Sequence, residues 1–165
     1  MDILDLIRDH LTASRDLALS KIEDMAEHAT VHPTPRGGAH TLWLLGHLAY
    51  IEGLVIRQFM LGEENPLADW EPTFDGAEVS SDAGDYPPFD AVLARCREMR
   101  AGTLELLGTL SHDDLDRVSA RAPEGHEAMF GTYGRCLHFV GDHWYMHRGQ
   151  LADARRASGV DRMWL

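Results

Sequence analysis

Apolar residues return along this chain at intervals of three and four with charged residues between them, and strand-like alternation is scarce. From residue 3 to 28 the stripe is Ile3, Leu6, Ile7, Leu11, Leu17 and Met25, which predicts one amphipathic helix. The stretch VHPTPRGG, residues 31 to 38, ends it with two prolines and two glycines, and Thr41 or a near neighbour caps a second helix reaching about Leu61. Apolar density is highest in that helix, as expected of a central one. A third is predicted from about Phe89 to Leu110, with Val92, Leu93, Cys96, Met99, Leu104 and Leu107 as its apolar side. Thr132 caps a fourth that runs to about Ala157 and stops at Gly159.

Residues 62 to 88 carry four prolines, many acids and no sustained period, so they form a long connection. Connections this long inside a compact domain are usually functional or partly disordered. SHDDLDR, residues 111 to 117, opens a shorter irregular stretch with room for a helical turn. Helices of about 20 to 26 residues are about 30 to 39 Å long, suited to packing side by side. The predicted fold is therefore all-α, a four-helix bundle. The second connection is long enough to cross it, so a strict up-down-up-down order is not required.

Composition narrows the possibilities. With 165 residues, 44% of them hydrophobic, the chain can bury one real core, so residues 1–165 are expected to form a single domain. No run of about 18 apolar residues exists, and MDILDLIRDHL mixes charges into its N-terminus, which points to a cytoplasmic protein with no membrane partner. A net charge of −12 repels phosphate backbones and disfavours nucleic acid. Cys96 and Cys136 belong to no CxxC pair and are expected to be buried, reduced thiols.

Chemistry gathers in GDHWYMHRGQL, residues 141 to 151. The core stripe of the fourth helix runs through Cys136, Val140, His143, His147, Leu151 and Ala154, so both histidines point where apolar residues should. A lone histidine there is usually a core residue satisfied by one hydrogen bond. Two at i and i+4 can converge on one ion. The best third ligand is His47 in LWLLGHLAYIEG, between Leu44 and Ile51 on the apolar face and next to Gly46. Three imidazoles from two helices would leave coordination positions open, as catalytic sites do.

The remaining histidines serve as controls. His138 is turned about 140° from His143 and about 180° from His147, so it should face away. His10, His28, His32, His112 and His126 fall near helix ends or in loops and are expected to be solvated, while His40, two turns before His47, is a weaker reserve ligand. Glu-x-x-His is absent, which disfavours di-iron carboxylate bundles, and HEAMF, residues 126 to 130, lacks the second histidine of a zincin. No phosphate-binding glycine loop or GxSxG elbow occurs.

LLGHLAYIEG, followed nearly a hundred residues later by HWYMHRGQLADARRASG, resembles the DinB-like superfamily, the YfiT and damage-inducible group. The resemblance covers most of the chain. It implies a four-helix bundle, usually up-down-down-up, often a homodimer, holding a divalent metal, commonly nickel or zinc, on three histidines. Residue by residue these are His47, His143 and His147. Arg148, Gly149 and Gln150 match the HRGQ signature, with an interhelical contact as plausible a role as catalysis. Some relatives are S-transferases that use bacillithiol or mycothiol, one branch isomerises maleylpyruvate with mycothiol, and the name metal-dependent hydrolase is also attached to the group.

Physically, an ion on neutral imidazoles is a Lewis acid, expected here to face a pocket at one end of the bundle. It could lower the pKa of a bound water toward 7 or hold a thiol as thiolate. Glu52, Asp142 and Tyr145 lie nearby in sequence as proton-handling candidates, against the plainer expectation that the acids are ordinary helix-surface groups or supports behind the ligands and that the tyrosine packs. Three functions remain open, each acting on or binding a small molecule: a transferase using a low-molecular-weight thiol, a metallohydrolase, and a metal-binding stress-response protein without turnover.

Overall fold

The computed structural model describes residues 2–76 and 78–161. The described residues are helical, with no strand among them, and the expected all-α fold stands. Four long helices carry it: α1 (Ile3–Leu19), α2 (Thr41–Gly53), α4 (Phe89–Leu107) and α6 (Tyr133–Ala157). Two single-turn helices sit in the connections, α3 (Glu71–Phe74) and α5 (Glu127–Phe130). None of the described helices is long and apolar enough to cross a membrane.

The helix predicted over 3–28 is broken. α1 ends at Leu19, and after a turn the chain resumes as a 3₁₀ segment, Glu23–His28. Bonds from Lys21 N to Ala18 O and from Ile22 N to Leu19 O tighten the turn. Ile22 and Met25 are fully buried, so the apolar stripe stays in phase through the break. α2 is apolar on every side, and eleven of its thirteen residues are buried, as befits a central helix. It continues as a π-helical stretch, Leu54–Met60, where Leu61 N reaches back five residues to Ile56 O at 3.2 Å. Thr132 caps α6 as predicted, its side chain accepting from Arg135 N.

The cap of α2 is His40 rather than Thr41. Its Nδ1 accepts the Trp43 N–H at 3.1 Å, which leaves Nε2–H to donate to Ser80 O at 2.7 Å. Both ring nitrogens are spent, so His40 is not a reserve ligand. Burial is the main cause that holds its pKa below the usual 6.5.

In the packed bundle α1 touches α4 and α6, and α2 touches the same two helices. Two apolar clusters fill the interior. One gathers Leu19, Ile22, Leu48, Leu93, Cys96 and Leu151; the other Leu11, Ile56, Met60, Leu107, Leu137 and Val140. α1 and α6 run from the second cluster to the first, and α2 and α4 run the opposite way.

Between the clusters lies a buried ion pair. Arg100 on α4 grips Glu52 on α2 with two bonds, Nε to Oε1 at 2.7 Å and Nη2 to Oε2 at 2.9 Å. Arg100 also donates to Leu11 O on α1 and, at 3.3 Å, to Val140 O on α6. Glu52 accepts from Thr103 Oγ1 at 2.7 Å and from Trp144 Nε1 at 3.3 Å. All four long helices meet in this network, whose two charged side chains are 0% and 2% exposed.

Two predictions follow from these contacts. Glu52→Ala strands a buried guanidinium and should cost about 3–5 kcal/mol in denaturant unfolding, whereas pairing Glu52→Leu with Arg100→Met should recover part of that loss. An equal loss in the single and the double variant would contradict this account. For His40 the sign is fixed by its depressed pKa: below about 6.5 the unfolded chain takes up a proton that the capped ring refuses. Stability should therefore be level above that pH and fall as pH drops through it. His40→Asn keeps an acceptor that does not titrate. In chelator, its melting temperature should fall less between pH 7.5 and 5.5 than that of the wild type.

Candidate metal centre

His47 on α2 and His143 and His147 on α6 meet across the seam between the two helices, each offering a nitrogen within 4.8 Å of the other two. Ring centroids lie 4.5 Å apart for His143–His147, 4.9 Å for His47–His147 and 5.0 Å for His47–His143. The seam position, midway along α6, differs from the pocket at the bundle's end that the sequence suggested. Their level follows from chain position, the eleventh and fifteenth of the 25 residues of α6, while their phase turns both rings toward α2.

Each ring is held differently. His47 donates from Nδ1 to the Phe74 carbonyl at 2.7 Å, and its face stacks on Trp43 at 4.7 Å with 10° between the planes. His147 Nδ1 is bonded to Gln150 Oε1. His143, 6% exposed, stacks on Phe139 at 5.4 Å. The Nε2 atoms of His143 and His147 are 2.9 Å apart. With the His147 Nδ1 proton given to Gln150, His143 Nε2–H donates to His147 Nε2. Bound to one ion at about 2.0–2.1 Å, two such nitrogens would stand about 2.9 Å apart at a right angle and about 3.3 Å apart at a tetrahedral one, so the pair lies within a few tenths of an ångström of ligating distance.

All three imidazoles are held neutral. Burial, then the two neighbouring rings, pushes His143 down to about 3. Burial lowers His47, reinforced by His147 and opposed by the Phe74 bond. It lowers His147 against the pull of Gln150. Neutral imidazoles are the form that ligates. The donor set therefore fits one divalent ion without losing protons at neutral pH.

The connection from 62 to 88 builds one wall of this site. Leu67 and Phe74 are buried anchors, and the Asn65 side chain ties the segment to Tyr50 O. Thr73 O accepts from Trp43 Nε1 at 3.0 Å, beside the Phe74–His47 bond. Phe74 lies so close over Gly46 that a Cβ there would sit 2.1 Å from its ring. Gly46 thus has the packing reason its place in a helix implied.

Other sequence candidates are scattered. Glu52 is the buried partner of Arg100 and not a helix-surface group. Asp142 lies between His10 and His138, 3.2 Å from each ring. Tyr145 packs on His10, and His138 is largely exposed, as its phase required. His10 is not simply solvated; it fills the space beside Gly141, where a Cβ would come within 2.2 Å. His32 leans on His40 and bonds Gly38 O, whereas His28, His112 and His126 are exposed as expected. Arg148 is half-buried with no hydrogen-bond or ion-pair partner among the described residues. Gly149 is exposed. Sequence reasoning missed the Phe74 carbonyl and the stacking of Trp43 and Phe139; the i, i+4 spacing of Trp43 with His47 and of Phe139 with His143 was the available signal.

Gly46→Ala should displace Phe74 and with it the carbonyl that holds His47. The expected outcome is a loss of about 1–3 kcal/mol in unfolding and zinc binding weaker by about tenfold or more, read by competition with a chromophoric chelator. Unchanged stability and affinity would show that the wall does not depend on this seat.

The family model of the DinB superfamily matches residues 10–151. No curated protein matches the chain. With the match running from α1 into α6 and enclosing all three histidines, the chain belongs to the DinB superfamily.

Proposed function

We propose that the protein is a divalent-metal-dependent enzyme that activates a low-molecular-weight thiol for transfer to an electrophilic small molecule. His47, His143 and His147 hold the ion, nickel or zinc. The protein works in the cytoplasm as a homodimer. The observation that carries the proposal is the convergence of three neutral imidazoles, with neither cysteine among them in the described residues.

A divalent ion on such a donor set supplies Lewis acidity, which keeps a thiol sulfur ionised near neutral pH. The chain's part is orientation. Phe74 O and Gln150 Oε1 fix two rings with Nε2 toward the centre, while Trp43 and Phe139 cover the faces of His47 and His143. Neither cysteine replaces an external thiol, because both are buried and burial pushes their pKa up. In the reaction the sulfur lone pair forms a carbon–sulfur bond, the leaving group departs with its bonding pair, and the thiol proton passes to solvent.

The test begins with metal content of untagged protein by elemental analysis: His143→Ala should lose the ion and His138→Ala keep it. Full retention by His143→Ala would sink the assignment. Metal-loaded protein is then incubated with bacillithiol, mycothiol or glutathione and monochlorobimane. The wild type should exceed His147→Ala with at least one thiol. Hydrolysis of esters or lactones without any thiol would replace this proposal with a metallohydrolase, and silence in both assays with a metal-binding protein lacking turnover.

A further inference from the structure

Two of the three imidazoles at the α2–α6 seam are held at Nδ1 by groups of opposite kinds. His47 is held by a main-chain carbonyl, Phe74 O, delivered by a buried wall. His147 is held by a side chain, Gln150 Oε1, one turn further along the same helix. His143 has no Nδ1 partner among the described residues. Its ring is fixed by burial and by the Phe139 stack instead.

These differences matter because an imidazole offers one lone pair at a time. A proton parked on Nδ1 leaves Nε2 free, and a ring free to tautomerise or rotate presents the right nitrogen only part of the time. His147 is the most exposed to that loss, being the least buried of the three. Spaced three residues on, Gln150 shares its helix face. An amide oxygen there accepts the Nδ1 proton without adding charge. Gln150 is itself exposed, so the fold does not require it.

We propose that Gln150 is a positioning residue of the metal centre: by accepting from His147 Nδ1 it fixes the tautomer and direction of that ring and sets the affinity of the site. It touches neither ion nor substrate. Its place in the HRGQ stretch suits this role, since a residue three positions after His147 stands on the same helix face within reach of its ring. The inference rests on the assignment of His47, His143 and His147 as ligands and is independent of the reaction.

The experiment measures zinc affinity by chelator competition on the full chain for wild type, Gln150→Leu, Gln150→Glu and His147→Ala, with melting temperatures of the metal-free proteins alongside. Removal of a group that orients a ligating histidine typically costs 10- to 100-fold in affinity. Gln150→Leu should therefore bind zinc about 10- to 100-fold more weakly while melting with the wild type. Gln150→Glu, which keeps an acceptor oxygen, should restore binding to within a few-fold. Long-range ¹H–¹⁵N spectra of the metal-free wild type should show His147 protonated at Nδ1, and Gln150→Leu should show a mixture. Affinity within twofold of wild type in Gln150→Leu, or equal weakening in the Leu and Glu variants, would overturn the proposal. Equal zinc binding by wild type and His147→Ala would instead remove the ligand assignment, and this inference with it.

Discussion

The Glu52–Arg100 pair is the constraint on which the rest of the arrangement depends. A charged pair inside a core is costly unless every lone pair and proton finds a partner. Here the partners come from all four long helices: Leu11 O on α1, Glu52 on α2, Thr103 on α4, Val140 O and Trp144 on α6. A slip of any helix by one residue turns its side chains by about 100° and strands one of these bonds. Such directional bonds specify register in a way that the apolar clusters on either side cannot.

Register is what the metal centre needs. Glu52 follows His47 by five residues on α2, and Trp144 follows His143 directly on α6. The 3.3 Å bond from Trp144 Nε1 to Glu52 Oε2 therefore indexes α2 against α6 about one turn from the three imidazoles. Arg100 also lies over the Trp144 ring, 5.3 Å from its centre, which keeps the indole from rotating out of that bond. The polar contact and the three histidines thus share one register of α2 against α6.

How far this was legible in the sequence depends on how each residue announces itself. His143 and His147 stand on an unbroken 3–4 stripe, so periodicity turned them inward, whereas α2 is apolar on every side and His47 stood out as the histidine between Leu44 and Ile51 and through the resemblance, not through a face. Arg100 stands on an equally clear stripe, Leu93, Cys96, Arg100, Thr103 and Leu107, yet a charge in that phase is read as an exception until its partner is known. The break after Leu19 left no trace because Ile22 and Met25 keep the phase of a continuous helix. The segment from 62 to 88 was opaque for the opposite reason: it is pinned by isolated anchors, Asn65, Leu67 and Phe74, and isolated anchors have no period. Gln150 was visible in its motif, but its role rests on a side-chain conformation that no spacing encodes.

The composition of the donor set carries a chemical consequence. Carboxylate or thiolate ligands would each cancel part of a divalent ion's charge, whereas three neutral imidazoles leave it whole and so make a stronger Lewis acid. Both protein thiols lie away from the set and are kept protonated by burial. A thiolate at the open positions of a bound ion would therefore come from an external thiol. The chain itself carries a net charge of −12, with Asp75 near enough to His47 to act on it, so the surroundings draw cations in and oppose anions. A neutral thiol that gives up its proton only on arrival meets less of that opposition than one already ionised in solution, which is the sequence of events the proposed reaction requires.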